Sequence, residues 1–270
     1  MRTTDLGWFG LRVPPFSKEI GDEDLWLPNS KVELVDDLTE AIEARTTVLL
    51  TGEPGVGKTC VLRALRRRLS PDLYRLTYCH NATLGRRDFY RQLCQALGLT
   101  PSATAAGVFL AVSGHVEELG RESVHPVFLL DEAHLLHQDV LDHLHILLNY
   151  QRDSKALLSL VLVGLPELEN QLERRRNRSL YSRIHHRFAL HDVTGEDVAE
   201  YIKHRLALAG AEKSLFAADA VALMHEHASG ALRDIDRMAH NALRDAARRK
   251  RKTVDRAAVE RVLAGRLPID

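Results

Sequence analysis

A glycine-rich loop that ends in lysine and threonine is the strongest chemical signal in the chain. The segment GEPGVGKT occupies residues 52–59, after the apolar run TVLL and before residues of helical spacing. Glycines let backbone N–H groups surround a phosphate at the N-terminus of a helix. The pattern G-x-x-x-x-G-K-[ST] in this context predicts a site for ATP and Mg²⁺, in which Lys58 reaches the β- and γ-phosphates and Thr59 ligates the metal. The predicted nucleotide-binding residues here are Gly52, Glu53, Pro54, Gly55, Val56, Gly57, Lys58, Thr59 and Cys60.

A second motif supplies two adjacent acids. Residues VFLLDEAH at 127–134 form an apolar run that ends in Asp131 and Glu132. At the end of a strand, we expect Asp131 to join the nucleotide site and hold Mg²⁺ with Thr59, and Glu132 to orient and polarise the attacking water. Together with the loop, the acids predict an ATPase in which Lys58 and Glu132 are catalytic.

Two arginine-bearing segments are candidates to complete a hydrolytic site. Arg183 lies in SLYSRIHHRF (179–188), from which it could reach the γ-phosphate of a neighbouring subunit, and Arg187 is the competing choice. Arg233, in SGALRDIDR (229–237), could contact the γ-phosphate from a helical lid. An arginine that acts in trans contributes ~10³–10⁵ in rate elsewhere. The alternative for both segments is a surface arginine paired with an acid, and the residues alone leave it open.

Short apolar runs alternate with amphipathic segments around these motifs. Continuous β-branched and leucine-rich runs between helices are typical of a parallel sheet covered on both faces. We therefore predict an α/β fold in which a parallel five-stranded sheet is flanked by helices. The predicted strands are 47–50, 74–78, 127–130, 158–163 and 187–190, and the predicted helices are 31–45, the segment from the loop to about residue 69, and 86–97.

The chain divides into three predicted regions. Residues 1–30 mix prolines and aromatics with polar residues, which indicates an irregular, extended N-terminal arm. Residues 31–192 form the nucleotide-binding α/β domain. Residues 193–270 form a small C-terminal helical lid, because the strands stop and helical periodicity follows at 195–209, 216–228, 231–248 and 255–264.

Composition excludes several classes of protein. Apolar residues make up 45% of the 270, enough for a substantial core, and 37 basic residues balance 37 acidic ones, so net charge does not indicate nucleic acid. Three cysteines without a CxxC pair predict no disulfide framework or zinc site. The start of the chain lacks a signal peptide, and the apolar run at 157–165 is too short to cross a bilayer. We therefore predict a cytoplasmic protein that does not associate with a membrane.

Histidines cluster at two places in the sequence, but no carboxylate or cysteine pattern completes a metal site around them. They are interpreted as surface or interface residues. The positions are His134, His137, His143, His145, His185 and His186.

The segment HNATLGRRDFYR (80–91) is the first candidate for binding double-stranded DNA. Thr83 and three arginines, Arg86, Arg87 and Arg91, could grip phosphates with little sequence preference. A solvated helix start, with arginines that balance nearby acids, explains the segment equally well. Other basic runs lie at 63–69, 173–178 and 247–252, of which the last could add peripheral DNA affinity.

These motifs in this order, followed by a helical lid, resemble the AAA+ ATPases, whose fold is that of P-loop NTPases. Further stretches resemble the ExeA/TniB/TnsC-like branch of that family, which includes general-secretion ATPases and transposition helpers of the MuB and TnsC type. The likeness covers nearly the whole chain. Its carriers are FGLRVPPFSKEI near the start, LLNYQRDSKALLSLVLVGLPEL (147–168), SRI, YIKHRLALAG (201–210) and SGALRDIDR.

The resemblance implies an ATP-dependent DNA-binding regulator of transposition. Such proteins assemble on duplex DNA as a homo-oligomer, a ring or a helical filament, when ATP is bound; they recruit or activate a transposase or integrase, and hydrolysis disassembles them. Two alternatives stay open: an ATPase of a secretion or pilus assembly system, and a nucleotide-binding scaffold with little hydrolysis. Secretion members usually continue into a transmembrane helix and a periplasmic domain, whereas this chain stops at Asp270, so we expect the first function.

One residue departs from the pattern of this branch. After VLVG, at the end of the fourth predicted strand, the branch often has glutamine, whereas this chain has Leu165. A leucine side chain cannot hydrogen-bond a phosphate or a water. Either Asn149, Ser159 or another group replaces it, or hydrolysis is slow. We therefore expect a slow switch for DNA binding rather than a fast motor.

Overall fold

A computed structural model describes residues 3–17, 19–79, 83–102, 104–150 and 155–265. Contacts divide the chain into two compact units. The sheet unit comprises Ser30–Glu53 and Val61–Leu190, and the helical unit comprises Met1–Asn29, Pro54–Cys60 and His191–Asp270.

The sheet unit is built on five parallel strands in the spatial order β2-β3-β4-β1-β5. Strands β1, β3 and β4 are buried along their whole length, as expected for apolar strands in the middle of a parallel sheet. The predicted parallel five-stranded sheet is confirmed. The strands are β1 Thr47–Gly52, β2 Tyr74–Cys79, β3 His125–Leu130, β4 Ser159–Gly164 and β5 Ile184–Leu190.

The helices are, in chain order, α1 Thr3–Phe9, α2 Asn29–Glu43, α3 Lys58–Arg68, α4 Arg86–Ala96, α5 Ala105–Arg121, α6 Gln138–Leu147, α7 Glu167–Glu173, α8 Arg178–Tyr181, α9 Gly195–Leu208, α10 Ala218–Ala228, α11 Leu232–Arg248 and α12 Arg256–Leu263. In the sheet unit, α5 packs on β3 through Val108, Val112 and Val116, which recur every four residues and are fully buried. The order of the strands places the carboxyl ends of β3, β4 and β1 side by side at one edge of the sheet.

The helical unit has its own apolar core, to which the N-terminal residues contribute. Leu11 and Phe16 are buried there among side chains of α9 to α12. Arg205 on α9 donates from Nε to the carbonyl of Pro15 over 2.7 Å and from a terminal nitrogen to the carbonyl of Ser17 over 2.6 Å. These bonds hold the N-terminal segment against α9.

Two expectations about the elements are corrected. The N-terminal arm was expected to be irregular, but residues 3–9 form α1, whose apolar residues Leu6 and Phe9 pack on the core of the helical unit. Strand β5 begins at Ile184 rather than Arg187, because Thr47 of β1 already pairs with Ile184 in the ladder. Pairing with β1 therefore adds three residues of mixed polarity to the start of β5.

Candidate active site

The glycine-rich loop connects β1, which ends at Gly52, to α3, which begins at Lys58. Gly55 and Gly57 adopt φ angles of 85° and 105°, a region that residues with a Cβ rarely enter. Val56 is 1% exposed and Lys58 is 8% exposed. The loop therefore has the left-handed turns and the buried lysine at a helix start that a phosphate cradle requires.

The loop lies against the start of α11, within the helical unit. A Cβ atom built on Gly55 would be 3.5 Å from the Cβ atoms of both Ala231 and Arg233. The chain reaches this position through a tight turn at Ser229 and Gly230, whose φ angles are 46° and 78°. The structure thus brings Arg233, in the first turn of α11, beside the predicted phosphate loop.

Asp131 follows β3 and is 8% exposed. Its Oδ1 accepts the backbone N–H of Glu132 over 2.9 Å, and its Oδ2 accepts the hydroxyl of Tyr78 over 2.5 Å. Burial, followed by the hydrogen bond to Asp131, raises the pKa of the Tyr78 phenol, so Tyr78 stays protonated and donates. Sequence reasoning missed Tyr78, because no local pattern shows that β2 lies beside β3 with Tyr78 opposite Leu129.

Glu132 has a left-handed backbone, with φ 52° and ψ 36°. Such a conformation costs a residue with a Cβ about 1–2 kcal/mol, and strain of this kind is concentrated at functional sites. The side chain is 48% exposed, and its Oε2 lies 3.6 Å from Nδ1 of His134. The second acid of the motif is therefore open to solvent, whereas Asp131 is buried.

Two polar side chains, Ser159 and His134, are candidates to replace the polar group that is missing at Leu165. Ser159 is wrong as a replacement, because it is the first residue of β4, at the opposite end of the strand, and its Oγ lies 2.9 Å from Nε2 of His125. His134 does reach Leu165, whose backbone N–H donates to Nδ1 of His134 over 3.4 Å. His134, expected as a surface or interface histidine, is only 14% exposed in its side chain.

Arg183 and Arg187 have different surroundings. Arg183 is half-buried and donates to the carbonyl of Ser179 over 2.9 Å, near the end of the short helix α8. Arg187 is exposed on β5, and its guanidinium lies 4.1 Å from the centre of the Tyr181 ring. Both arginines belong to the segment predicted to act on a neighbouring subunit, and Arg187 is the more exposed of the two.

The first DNA candidate forms the start of α4. Thr83, Arg86 and Arg87 are exposed, Arg91 is half-buried, and Gly85 caps the helix without a side-chain hydrogen bond. Residues 80–82 of this candidate lie outside the described residues. Two arginines share the first turn with Asp88 at the positive end of the helix dipole, a position that favours an anion.

A second basic surface lies in the helical unit at residues 248–252, five consecutive exposed basic residues. Trp8 of α1 donates its indole N–H to the carbonyl of Arg251 over 2.8 Å. The Lys252 ammonium donates to the carbonyl of Trp8 and lies 4.0 Å from its ring centre. These contacts fasten α1 to the basic run.

Neither a metal-ligand cluster nor a membrane-spanning helix occurs among the described residues. Within residues 3–17, 19–79, 83–102, 104–150 and 155–265, no three His, Cys, Asp or Glu side chains group together as a metal site. None of the helices in these ranges is long and apolar enough to cross a membrane.

Comparison with known proteins places residues 39–172 in a family described as the AAA domain. Residues 39–172 are therefore similar to AAA domains. The matched range contains the glycine-rich loop, Asp131, Glu132 and Leu165, whereas Arg183 and Arg233 lie beyond it. This match agrees with the nucleotide-binding domain that the glycine-rich loop and the two acids predict.

A curated relative is similar to most of the chain. The chain is 34% identical over 240 residues to general secretion pathway protein A of Aeromonas hydrophila, a match that covers 87% of this chain. The chain spans 44% of the length of that relative.

Solved structures of the same fold come from Aeropyrum pernix. The ORC1 protein in complex with DNA is 21% identical with a TM-score of 0.67, and the match covers 94% of this chain and 69% of that one. The ORC2 protein, solved as ADPNP–ADP complexes, is 15% identical with a TM-score of 0.69, over 93% and 71% of the two chains. At these identities the likeness establishes the fold.

Proposed function

We propose that this protein is an ATP-dependent, DNA-binding regulator of transposition. In this proposal, ATP binding promotes assembly of a homo-oligomer on duplex DNA, the assembly recruits or activates a transposase or integrase, and hydrolysis disassembles it in the cytoplasm. The observation that carries the ATP switch is the proximity of Gly55, in the glycine-rich loop, to the first turn of α11, where a Cβ atom built on Gly55 would lie 3.5 Å from the Cβ of Arg233. A loop that touches both a predicted phosphate and the helical unit can report the state of the nucleotide to the rest of that unit.

Each residue of the site has a chemical role in this proposal. Lys58 binds the β- and γ-phosphates together with backbone N–H groups of the loop, and Arg233 binds the γ-phosphate from α11. Thr59 and Asp131 supply oxygen ligands that suit Mg²⁺, which screens the phosphate charge when bound. Glu132 accepts a proton from the attacking water. The buried, hydrogen-bonded Asp131 and the open Glu132 fit a division between metal ligand and base.

In this proposal an arginine of a neighbouring subunit completes the site, and hydrolysis therefore depends on assembly. Arg183 is the proposed trans-acting residue, and Arg187 is the competing candidate because it is exposed and held on the Tyr181 ring. A guanidinium from a neighbouring subunit neutralises charge that develops on the γ-phosphate. Hydrolysis is then stimulated only within the ring or filament, and a dispersed subunit keeps its ATP.

DNA binding is proposed for the start of α4, through Thr83, Arg86, Arg87 and Arg91. The two first-turn arginines and a helix N-terminus without a side-chain cap support an anion partner, and the ORC1 protein of Aeropyrum pernix was solved in complex with DNA. The basic run at 248–252 is the alternative contact.

The test compares labelled duplex DNA binding of matched double variants at several salt concentrations. Arg86→Gln/Arg87→Gln should weaken binding and reduce the salt slope by about two, roughly one for each lost phosphate contact. Arg174→Gln/Arg175→Gln removes the same charge from another exposed pair and serves as the control. An unchanged slope in the first variant, with a reduced slope in Arg251→Gln/Lys252→Gln, would move the contact to the helical unit. No binding by the unaltered chain at low salt, with or without ATP, would refute the DNA function.

A secretion or pilus-assembly ATPase is the second candidate function. It is favoured by the 34% identity to general secretion pathway protein A. In that case duplex DNA should change neither the hydrolysis rate nor the sedimentation of the protein with an ATP analogue. DNA-stimulated hydrolysis together with DNA-dependent sedimentation would exclude this candidate.

A further inference from the structure

The polar group missing at position 165 has a counterpart on another element. Leu165 follows β4, and its backbone N–H donates to Nδ1 of His134 over 3.4 Å. The same nitrogen lies 3.6 Å from Oε2 of Glu132. One imidazole therefore touches both the end of β4 and the carboxylate to which we assign the base.

Packing confines this imidazole. A Cβ atom at Gly164 would be 3.2 Å from both the backbone nitrogen and Nδ1 of His134, and 2.9 Å from Cδ2 of Leu168. The His134 side chain is 14% exposed, against 48% for Glu132. The ring is thus held in place beside Gly164, where an added Cβ would crowd it, while the Glu132 carboxylate retains access to water.

We propose that His134 is the positioning residue for Glu132 and that it couples the base to the end of β4. This inference rests on the proposed ATPase function. The coupling follows because one ring lies against both groups. Nδ1 accepts the N–H of Leu165, and the ring held in this way limits the positions of the Glu132 side chain while the carboxylate stays open to water.

Substitutions separate positioning from folding. His134→Ala removes both contacts and should slow single-turnover hydrolysis by about 10–100-fold, since misplacement of a catalytic group by about 1 Å costs on that order. Nucleotide affinity should stay within about twofold, because His134 is assigned no phosphate contact. His134→Asn keeps a polar atom near the position of Nδ1 and should restore most of the rate.

The experiment measures single-turnover ATP hydrolysis and fluorescent-nucleotide affinity in the full chain with duplex DNA. It compares the unaltered protein with His134→Ala, His134→Asn, Glu132→Gln and the double variant Glu132→Gln/His134→Ala. If His134 acts through Glu132, the double variant is no slower than Glu132→Gln alone. His137→Ala is the matched control, since the His137 side chain is 57% exposed and its Nδ1 lies beside Asp139; its rate should equal that of the unaltered protein.

The other possible results of this experiment each contradict either the role of His134 or the ATPase function. Equal rates for the unaltered protein and His134→Ala, or multiplied losses in the double variant, overturn the role of His134 alone. Loss of nucleotide affinity together with rate, without recovery in His134→Asn, shows a structural role and also overturns it. An unaltered protein that does not hydrolyse ATP refutes the ATPase function itself.

Discussion

Substitution of Gly55 by alanine tests the geometry of the phosphate loop. Gly55 has φ 85°, and its added Cβ would lie 3.5 Å from Ala231 and Arg233, an ordinary van der Waals distance. The contact therefore adds no clash, and the whole effect comes from the left-handed backbone, which costs an alanine about 1–2 kcal/mol. Since 1.4 kcal/mol is about tenfold in affinity, ATP binding should weaken by about 5–30-fold if the altered loop relaxes when empty.

The assay is a titration with fluorescent nucleotide, paired with thermal unfolding without nucleotide. If the altered loop keeps its left-handed turn when empty, the cost of about 1–2 kcal/mol appears instead as a lower free energy of unfolding. The loss of ATP-binding free energy and the loss of unfolding free energy should therefore add up to about 1–2 kcal/mol. Gly85→Ala is the control, because φ there is −64° and no atom lies within 4 Å of the added Cβ. Gly55→Ala that binds within about twofold of the unaltered chain and unfolds at the same temperature would refute the assigned geometry.

Three further predictions follow from the same site and fold. Glu132→Gln should bind ATP normally but remain assembled on DNA, as seen by slow dissociation of labelled duplex after ATP addition; release at the normal rate would contradict its role as the base. Arg183→Ala should hydrolyse slowly alone but recover when mixed with Lys58→Ala, because the second variant binds no ATP yet supplies its own arginine; a normal rate for Arg183→Ala would shift the assignment to Arg187. Burial lowers the pKa of His125 to about 4, so the folded state binds fewer protons than the unfolded state between pH 6.5 and 4, and unfolding free energy should fall by up to about 3 kcal/mol as pH drops through this window. A variant His125→Gln, which cannot titrate, should show a flatter profile in urea unfolding, and an unchanged profile would show that another group is responsible.

The sheet was predictable because its signal is local. The runs in β1, β3 and β4 are continuously apolar, and parallel strands buried on both faces need such runs. Helix α5 was not assigned, although Val108, Val112 and Val116 recur at helical spacing. Its glycines, Gly107, Gly114 and Gly120, weaken the local signal, and packing on β3 compensates for it.

Parts of the site depend on contacts that no local pattern contains. The loop at 52–59 could be placed from sequence because chain order alone puts it between a strand and a helix. Tyr78 could not, since its bond to Asp131 requires β2 to lie beside β3. The contact of His134 with Leu165 likewise depends on the adjacency of β3 and β4. Residues 151–154, within one stretch that carries the family resemblance, lie outside the described residues.

The most direct test of ATP-controlled DNA binding is fluorescence anisotropy of one labelled duplex. The three conditions compared are a slowly hydrolysed ATP analogue, ADP and no nucleotide. We predict strong binding with the analogue, weak binding with ADP, and release from the ATP-bound complex at the rate of hydrolysis, a release that Glu132→Gln abolishes. Equal affinity in all three conditions would contradict the proposal that the nucleotide controls the assembly on DNA.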